Sequence, residues 1–201
     1  MKINGRTFLV SFCGADGVGK TTQIKRIAEA LREVGFRVAT VKLPTSETFT
    51  GRIVKWMMLK EHAVRLPNVF QAFQWLDKFI FQLYVLPRIT KDNDFVLLDR
   101  WHATMWAYGL SSGANEWLTN LLVDSLIEPH LVLILCGECK RSAARDVYER
   151  NASLQKSVKL HYVLWACTHT QNVRTVSTDD EVEKVTQNVL NVLRNHLGLG
   201  I

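Results

Sequence analysis

No stretch of the 201 residues is apolar for long enough to span a bilayer. The most aromatic one, 68–89, is broken by Gln71, Gln74, Asp77, Lys78 and Gln82. Proline is scarce, at four residues, and no linker, low-complexity tract or internal repeat divides the chain, so one domain over 1–201 is expected. Four cysteines are too few for a disulfide framework at this length. Cys136 and Cys139 form a CxxC, but no second Cys or His pair at metal spacing accompanies them, and they are read as packing at a strand end. The first six residues have neither a long apolar core nor a small-residue cleavage site, so no signal peptide is expected and a cytoplasmic location is. Lys and Arg (25) outnumber Asp and Glu (19), a net charge of +6 that suits an anionic ligand. The basic residues are dispersed rather than clustered, which argues against nucleic acid as the partner.

What is present begins at residue 14. Gly14-Ala15-Asp16-Gly17-Val18-Gly19-Lys20-Thr21 fits the phosphate-loop pattern of Gly, four residues, Gly-Lys-Thr. An apolar run, 7–13, precedes it and reads as a buried strand. Ile24, Ile27, Ala28, Leu31 and Val34 follow at helical spacing. Strand, glycine loop and helix together are the context the motif requires. Glycines let successive backbone N–H groups turn inward onto phosphate oxygens, and the helix start adds unpaired amides and the positive end of its dipole. Lys20 supplies charge to the outer phosphates, and the Thr21 hydroxyl is placed to ligate Mg²⁺. The chain is expected to bind a nucleoside triphosphate.

Further along, Gly35 reads as a helix stop and 36–43 as a second strand. Helices are expected over 51–60, 68–89, 115–127 and 153–166, and strands over 95–99, 131–136 and 173–176. Thr178-Asp179-Asp180-Glu181 reads as a capping box for a last helix. The helix over 68–89 is apolar on most sides, so it is expected to be buried on most sides, with one face on the substrate and another on a second subunit. Five strands alternating with helices imply an α/β, three-layer fold with a parallel sheet covered on both faces.

Asp99 closes a core strand, where an open parallel sheet presents ligands, and can hold Mg²⁺ directly or through water. Arg100 follows as a fork-shaped donor suited to a second phosphate. Lys140, Arg141, Arg145 and Arg150 cluster after the fourth strand, where a lid of about 140–155 is expected.

The segments Phe12 to Gln23, Asp99-Arg100-Trp101, Ala107-Tyr108 and Asp146-Val147-Tyr148-Glu149, in that order, resemble thymidylate kinases. The resemblance runs over nearly the whole chain. It implies a P-loop fold with strand order 2-3-1-4-5, a homodimer, and transfer of the γ-phosphoryl group of ATP to dTMP or a relative such as a 5-substituted dUMP. By position it implies that Gly14, Ala15, Gly17, Val18, Gly19, Lys20, Thr21 and Thr22 hold ATP phosphates, and that Arg141 covers the adenine. Asp16 would contact the acceptor's 3′-hydroxyl. Lys42 and Arg100 would hold its phosphate, Phe70 would stack on its base, and Tyr108 would face the sugar. Gln74, Tyr148 and Gln155 fall among the acceptor-binding positions. Gly17 stands where one branch of the family carries its catalytic arginine, so the lid must supply one, and Arg145 is the candidate. The catalytic set is then Asp16, Lys20, Arg100 and Arg145, with Thr21 and Asp99 for Mg²⁺. Cys13, Gln74 and Gly109 depart from the family pattern, the last two on the side that reads the base.

Two alternatives remain open at this stage. A deoxynucleoside kinase shares the fold but needs a base near the acceptor hydroxyl, and Glu47 is the only acid nearby. A regulatory P-loop protein would keep Lys20 and Thr21 without needing Arg100 or Arg145.

Overall fold

A computed structural model of the protein describes residues 7–45, 48–60, 62–138 and 151–198. The strands are β1 (Phe8–Cys13), β2 (Val38–Lys42), β3 (Phe95–Asp99), β4 (Leu131–Cys136) and β5 (Val173–Ser177). They form one parallel sheet in the order β2-β3-β1-β4-β5. The helices are α1 (Lys20–Glu33), α2 (Phe49–Leu59), α3 (His62–Arg65), α4 (Pro67–Ile80), α5 (Leu86–Asp92), α6 (His102–Ser111), α7 (Glu116–Asp124), α8 (Ala152–Thr168) and α9 (Val182–Leu197).

Period-two alternation inside otherwise apolar strands builds two cores. Val10 and Phe12 of β1, Phe95 and Leu97 of β3, and Leu131, Leu133 and Leu135 of β4 pack with α1 and α9. Leu9, Cys13, Val96, Leu98, Val132 and Ile134 face the other way, with α2, α4, α6 and α8. With both faces covered, the strands lose the polar side that an exposed sheet would keep.

β1 lies between β3 and β4, so the chain's crossovers diverge there, and the carboxyl ends of these strands form the natural ligand crevice. Register fixes what reaches that edge. Asp99 stands opposite Phe12 on β1 and opposite Lys42 on β2.

Three expectations are corrected. Residues 68–89 are not one helix: α4 ends at Ile80, a π-helical turn spans Phe81–Val85, and α5 follows. Pro87 has no N–H to offer the preceding turn, and the backbone widens before it. The segment is also not buried all round, since Val69, Leu83 and Tyr84 are exposed. The capping box at 178–181 does not form. The α9 N-cap is Glu181, without a side-chain bond, whereas the buried Thr178 donates its backbone N–H and its hydroxyl to the Cys136 carbonyl at 2.7 and 3.3 Å. Burial beside β4 takes the hydroxyl that the helix end would have used.

Candidate active site

The loop between β1 and α1 is held against the sheet edge by close backbone packing. A Cβ on Gly14 would stand 2.4 Å from the Leu135 carbonyl oxygen, and the backbone there has φ +138°, so only glycine fits. Lys20 opens α1 and is buried, its ammonium donating to the carbonyls of Gly14 at 3.0 Å and Ala15 at 2.6 Å. Burial, with the Arg100 guanidinium nearby, brings the Lys20 ammonium down to about 7. The next side chain, Thr21, donates its hydroxyl to Asp99 Oδ2 at 3.1 Å. Asp99 is nearly sealed from solvent, and its Oδ1 is buried without a hydrogen-bond partner. Lys42 Nζ, on a largely exposed side chain, lies 3.9 Å from Asp99 Oδ2.

Beside this cluster a second one is centred on Asp16. The Arg100 guanidinium pairs with Asp16 Oδ1. Tyr108 donates its hydroxyl to Oδ2 at 2.6 Å, and Gln155 Nε2 reaches the same oxygen at 3.3 Å. The Gln155 amide also accepts the Asp16 backbone N–H at 3.2 Å, so one side chain from α8 brackets the loop. Burial opposes ionisation of Asp16, but Arg100, Lys20, Tyr108 and Gln155 outweigh it and bring the carboxyl down to about 2. Arg100 holds its position with φ +76°, left-handed for a non-glycine residue, while its N–H bonds the Phe12 carbonyl at 3.0 Å. Backbone strain of this kind persists where the surroundings over-determine it, and here it aims the guanidinium back across the loop. The Arg100 Cζ also lies 5.3 Å from the Tyr108 ring centroid.

A cavity of about 510 Å³ joins the two clusters, lined by Asp16, Lys20, Thr21, Lys42, Asp99 and Arg100 among others. It can take a polyanion on one side and a second, smaller anion on the other, with cations between them.

The structure thus brings together Gly14 to Thr22, Lys42, Asp99, Arg100, Tyr108 and Gln155. Phe70 is set in the core beneath this edge, and Gln74 is buried on the same helix. Arg141, Arg145 and Tyr148, together with Lys140, Arg150, Glu47 and Cys139, lie outside the described residues. Sequence reasoning missed a buried polar group beside the site: Gln71, Asp77 and Lys78 on α4, and Thr104 with Tyr162, whose hydroxyl donates to Thr104 Oγ1 at 3.0 Å. A signal existed, since Gln71, Gln74 and Lys78 share a helical stripe, but they looked like interruptions of an apolar helix.

Comparison with known proteins agrees with this geometry. A protein from Pyrococcus abyssi named "Probable thymidylate kinase" is 29% identical, over 96% of this chain and 98% of that protein. One of the same name from Caldivirga maquilingensis is 27% identical, over 90% and 91%. Among solved structures, the Candida albicans thymidylate kinase superposes with a TM-score of 0.81 at 19% identity, covering 96% of this chain and 93% of that one. The Ehrlichia chaffeensis enzyme gives 0.71 at 20% identity, over 94% and 99%, and both share the fold. The thymidylate kinase family model matches residues 12–189, and the chain belongs to that family.

Proposed function

We propose that the protein transfers the γ-phosphoryl group of ATP to the 5′-phosphate of dTMP or a 5-substituted dUMP. A phosphate oxygen of the acceptor bonds to the γ-phosphorus, the bond to the β-phosphate bridging oxygen breaks, and ADP leaves. The observation that carries this is the single cavity in which the Lys20–Thr21 cradle faces the Arg100–Asp16–Tyr108 cluster, with Lys42 between them. Phosphoryl transfer needs charge neutralisation and in-line placement more than covalent help from the protein, and that is what these residues supply.

In this reading the loop N–H groups and Lys20 take the donor phosphates, and Arg100 and Lys42 take the acceptor phosphate. Asp16 accepts from the acceptor's 3′-hydroxyl, while the Tyr108 ring fills the side of the sugar. Phe70 forms a wall for the base, and Gln155 completes the acceptor side. Arg145 supplies lid charge and Arg141 covers the adenine, within a lid of about 140–155 on a single kinase domain. Thr21 and Asp99 fit Mg²⁺: the buried, unpartnered Oδ1 of Asp99 is an oxygen waiting for a cation or its water. The ion would bridge donor phosphates and offset their charge. Among the described residues no group of three or more His, Cys, Asp or Glu gathers, which suits a cation held largely by substrate oxygens.

The free thiols Cys13, Cys136 and Cys167 fit a reducing, cytoplasmic setting. Among the described residues no helix is long and apolar enough to cross a membrane. Large exposed apolar side chains, including Phe49, Trp56, Leu59, Tyr84 and Trp117, favour a homodimer, which sedimentation equilibrium would detect.

Steady-state assays with ATP–Mg²⁺ and a panel of dTMP, dUMP, 5-hydroxymethyl-dUMP, dCMP, dGMP, dAMP and thymidine test the proposal. Turnover of dTMP or a 5-substituted dUMP is expected. Turnover of thymidine alone, or of nothing in the panel, overturns it.

A further inference from the structure

The buried side of α4 is polar. Its sealed side chains are Phe70, Gln71, Gln74, Asp77 and Lys78, where a helix entering a core is expected to be apolar. Burying amides and charges is costly unless each finds a partner. Asp77 serves the fold, since its Oδ1 accepts the hydroxyls of Thr48 at 2.6 Å and Thr50 at 3.0 Å and so ties down the start of α2. The two glutamines have another character.

Gln71 is 1% exposed and donates Nε2 to the Met105 carbonyl at 2.9 Å. A carbonyl can only accept, so the orientation of this amide is fixed and its remaining end is the acceptor Oε1, which is buried without a partner. Gln74 is oriented the opposite way. Lys78 Nζ donates to Gln74 Oε1 at 3.1 Å, and an ammonium can only donate, so the remaining end is the donor Nε2. One turn of helix therefore offers one acceptor and one donor, each with its polarity set by a neighbour.

Both amides sit along the acceptor side of the site. The Gln71 amide fills the space that a side chain at position 109 would take, since a Cβ on Gly109 would stand 1.5 Å from Nε2. Gly109 directly follows Tyr108, whose hydroxyl is on Asp16. At the other end of the stripe, Lys78 lies within electrostatic reach of Arg100. The stripe thus runs beside the residues assigned above to the acceptor's sugar and phosphate.

We propose that Gln71 and Gln74 read the acceptor base as a pair, Gln71 Oε1 accepting a ring N–H and Gln74 Nε2 donating to the adjacent carbonyl. The pair selects a lactam edge, –NH–C=O, as in thymine and uracil, over the amino-bearing edges of cytosine and adenine. Guanine carries the same edge on a larger ring, so the pair sets the edge and not the ring size. Gly109 and Lys78 are positioning residues, one making room for the Gln71 amide and the other fixing that of Gln74. This rests on the acceptor-site reading above. A lone pair facing Gln71 Oε1, as cytosine presents, leaves a buried acceptor unpaired, the circumstance in which polar sites discriminate most strongly.

The test uses the whole protein with dTMP, N3-methyl-dTMP and dCMP as acceptors at saturating ATP–Mg²⁺. For the unaltered enzyme, kcat/KM is expected to fall about 100-fold or more from dTMP to either of the other two. Gln71→Met should lower kcat/KM for dTMP about tenfold, leave that for dCMP unchanged, and not move KM for ATP. Lys78→Met, which frees the Gln74 amide to turn, should raise dCMP relative to dTMP. Equal use of N3-methyl-dTMP and dTMP by the unaltered enzyme overturns the inference, even if neither variant folds. So does a Gln71→Met variant that loses both acceptors alike, because a mere bracket between α4 and α6 would do that. Absence of any turnover with dTMP would instead refute the acceptor-site reading itself.

Discussion

Lys20 has to gain a proton to do its work above neutral pH. In the free protein its ammonium is buried against the Gly14 and Ala15 carbonyls and sits near Arg100, which together hold its pKa at about 7, far below the ordinary 10.5. A bound triphosphate brings negative charge to the same place and restores the charged form. Nucleotide binding is therefore linked to proton uptake. At pH 8 a group titrating at about 7 is roughly 90% neutral, so binding should take up about 0.9 proton. Affinity should accordingly fall roughly fifteenfold between pH 7 and 8.5. Isothermal titration calorimetry at pH 8 in two buffers of different ionisation enthalpy measures the uptake directly, because the γ-phosphate is already ionised there. Lys20→Met should bind weakly, with no buffer dependence. Uptake near zero at pH 8, with affinity flat from pH 7 to 9, would refute the reasoning.

Asp99→Asn keeps the shape of the side chain and removes its charge, so nucleotide affinity without Mg²⁺ should hold while apparent Mg²⁺ affinity in the ternary complex drops 10–100-fold, read from a metal titration of initial rates. Asp16 is held at about 2, below its ordinary 3.8, so the stability it contributes through Arg100 and Tyr108 is complete above about pH 4 and is lost as pH falls toward 2. The stability gap between the native protein and Asp16→Asn in urea titrations should therefore be about 1–3 kcal/mol at pH 6 and close as pH falls through that window. A gap independent of pH would contradict the ion pairing. Arg100→Lys keeps the charge but loses the fork, and kcat/KM for dTMP should fall about 10²–10³-fold with ATP affinity little changed, measured by initial rates and by calorimetry.

The strand ends were readable because both faces of this sheet are buried. Apolar runs bounded by polar residues placed β3 at Phe95–Asp99 and β4 at Leu131–Cys136, and the Gly-Lys-Thr motif placed the start of α1 at Lys20. From there the sheet edge follows, and with it Asp99, Lys42 and Arg100. What stayed hidden depends on contacts between distant elements. Thr178 looks like a cap until β4 is seen beside it, competing for its hydroxyl. Gln71, Gln74 and Lys78 read as the wet side of an apolar helix, because pattern alone cannot distinguish a polar face turned to solvent from one turned to a binding site. Gly109 looked like a lost side chain. Only the packing of α4 on α6 shows that a glutamine from the other helix occupies its space.

The central claim is that two nucleotides meet end to end in one cavity, and a single compound joining adenosine to thymidine through five phosphates tests it most directly. The compound should bind once per chain, far more tightly than ATP or dTMP alone, and displace both together. If it displaces ATP while labelled dTMP stays bound or never binds, the two anion sites are not facing halves of one active site.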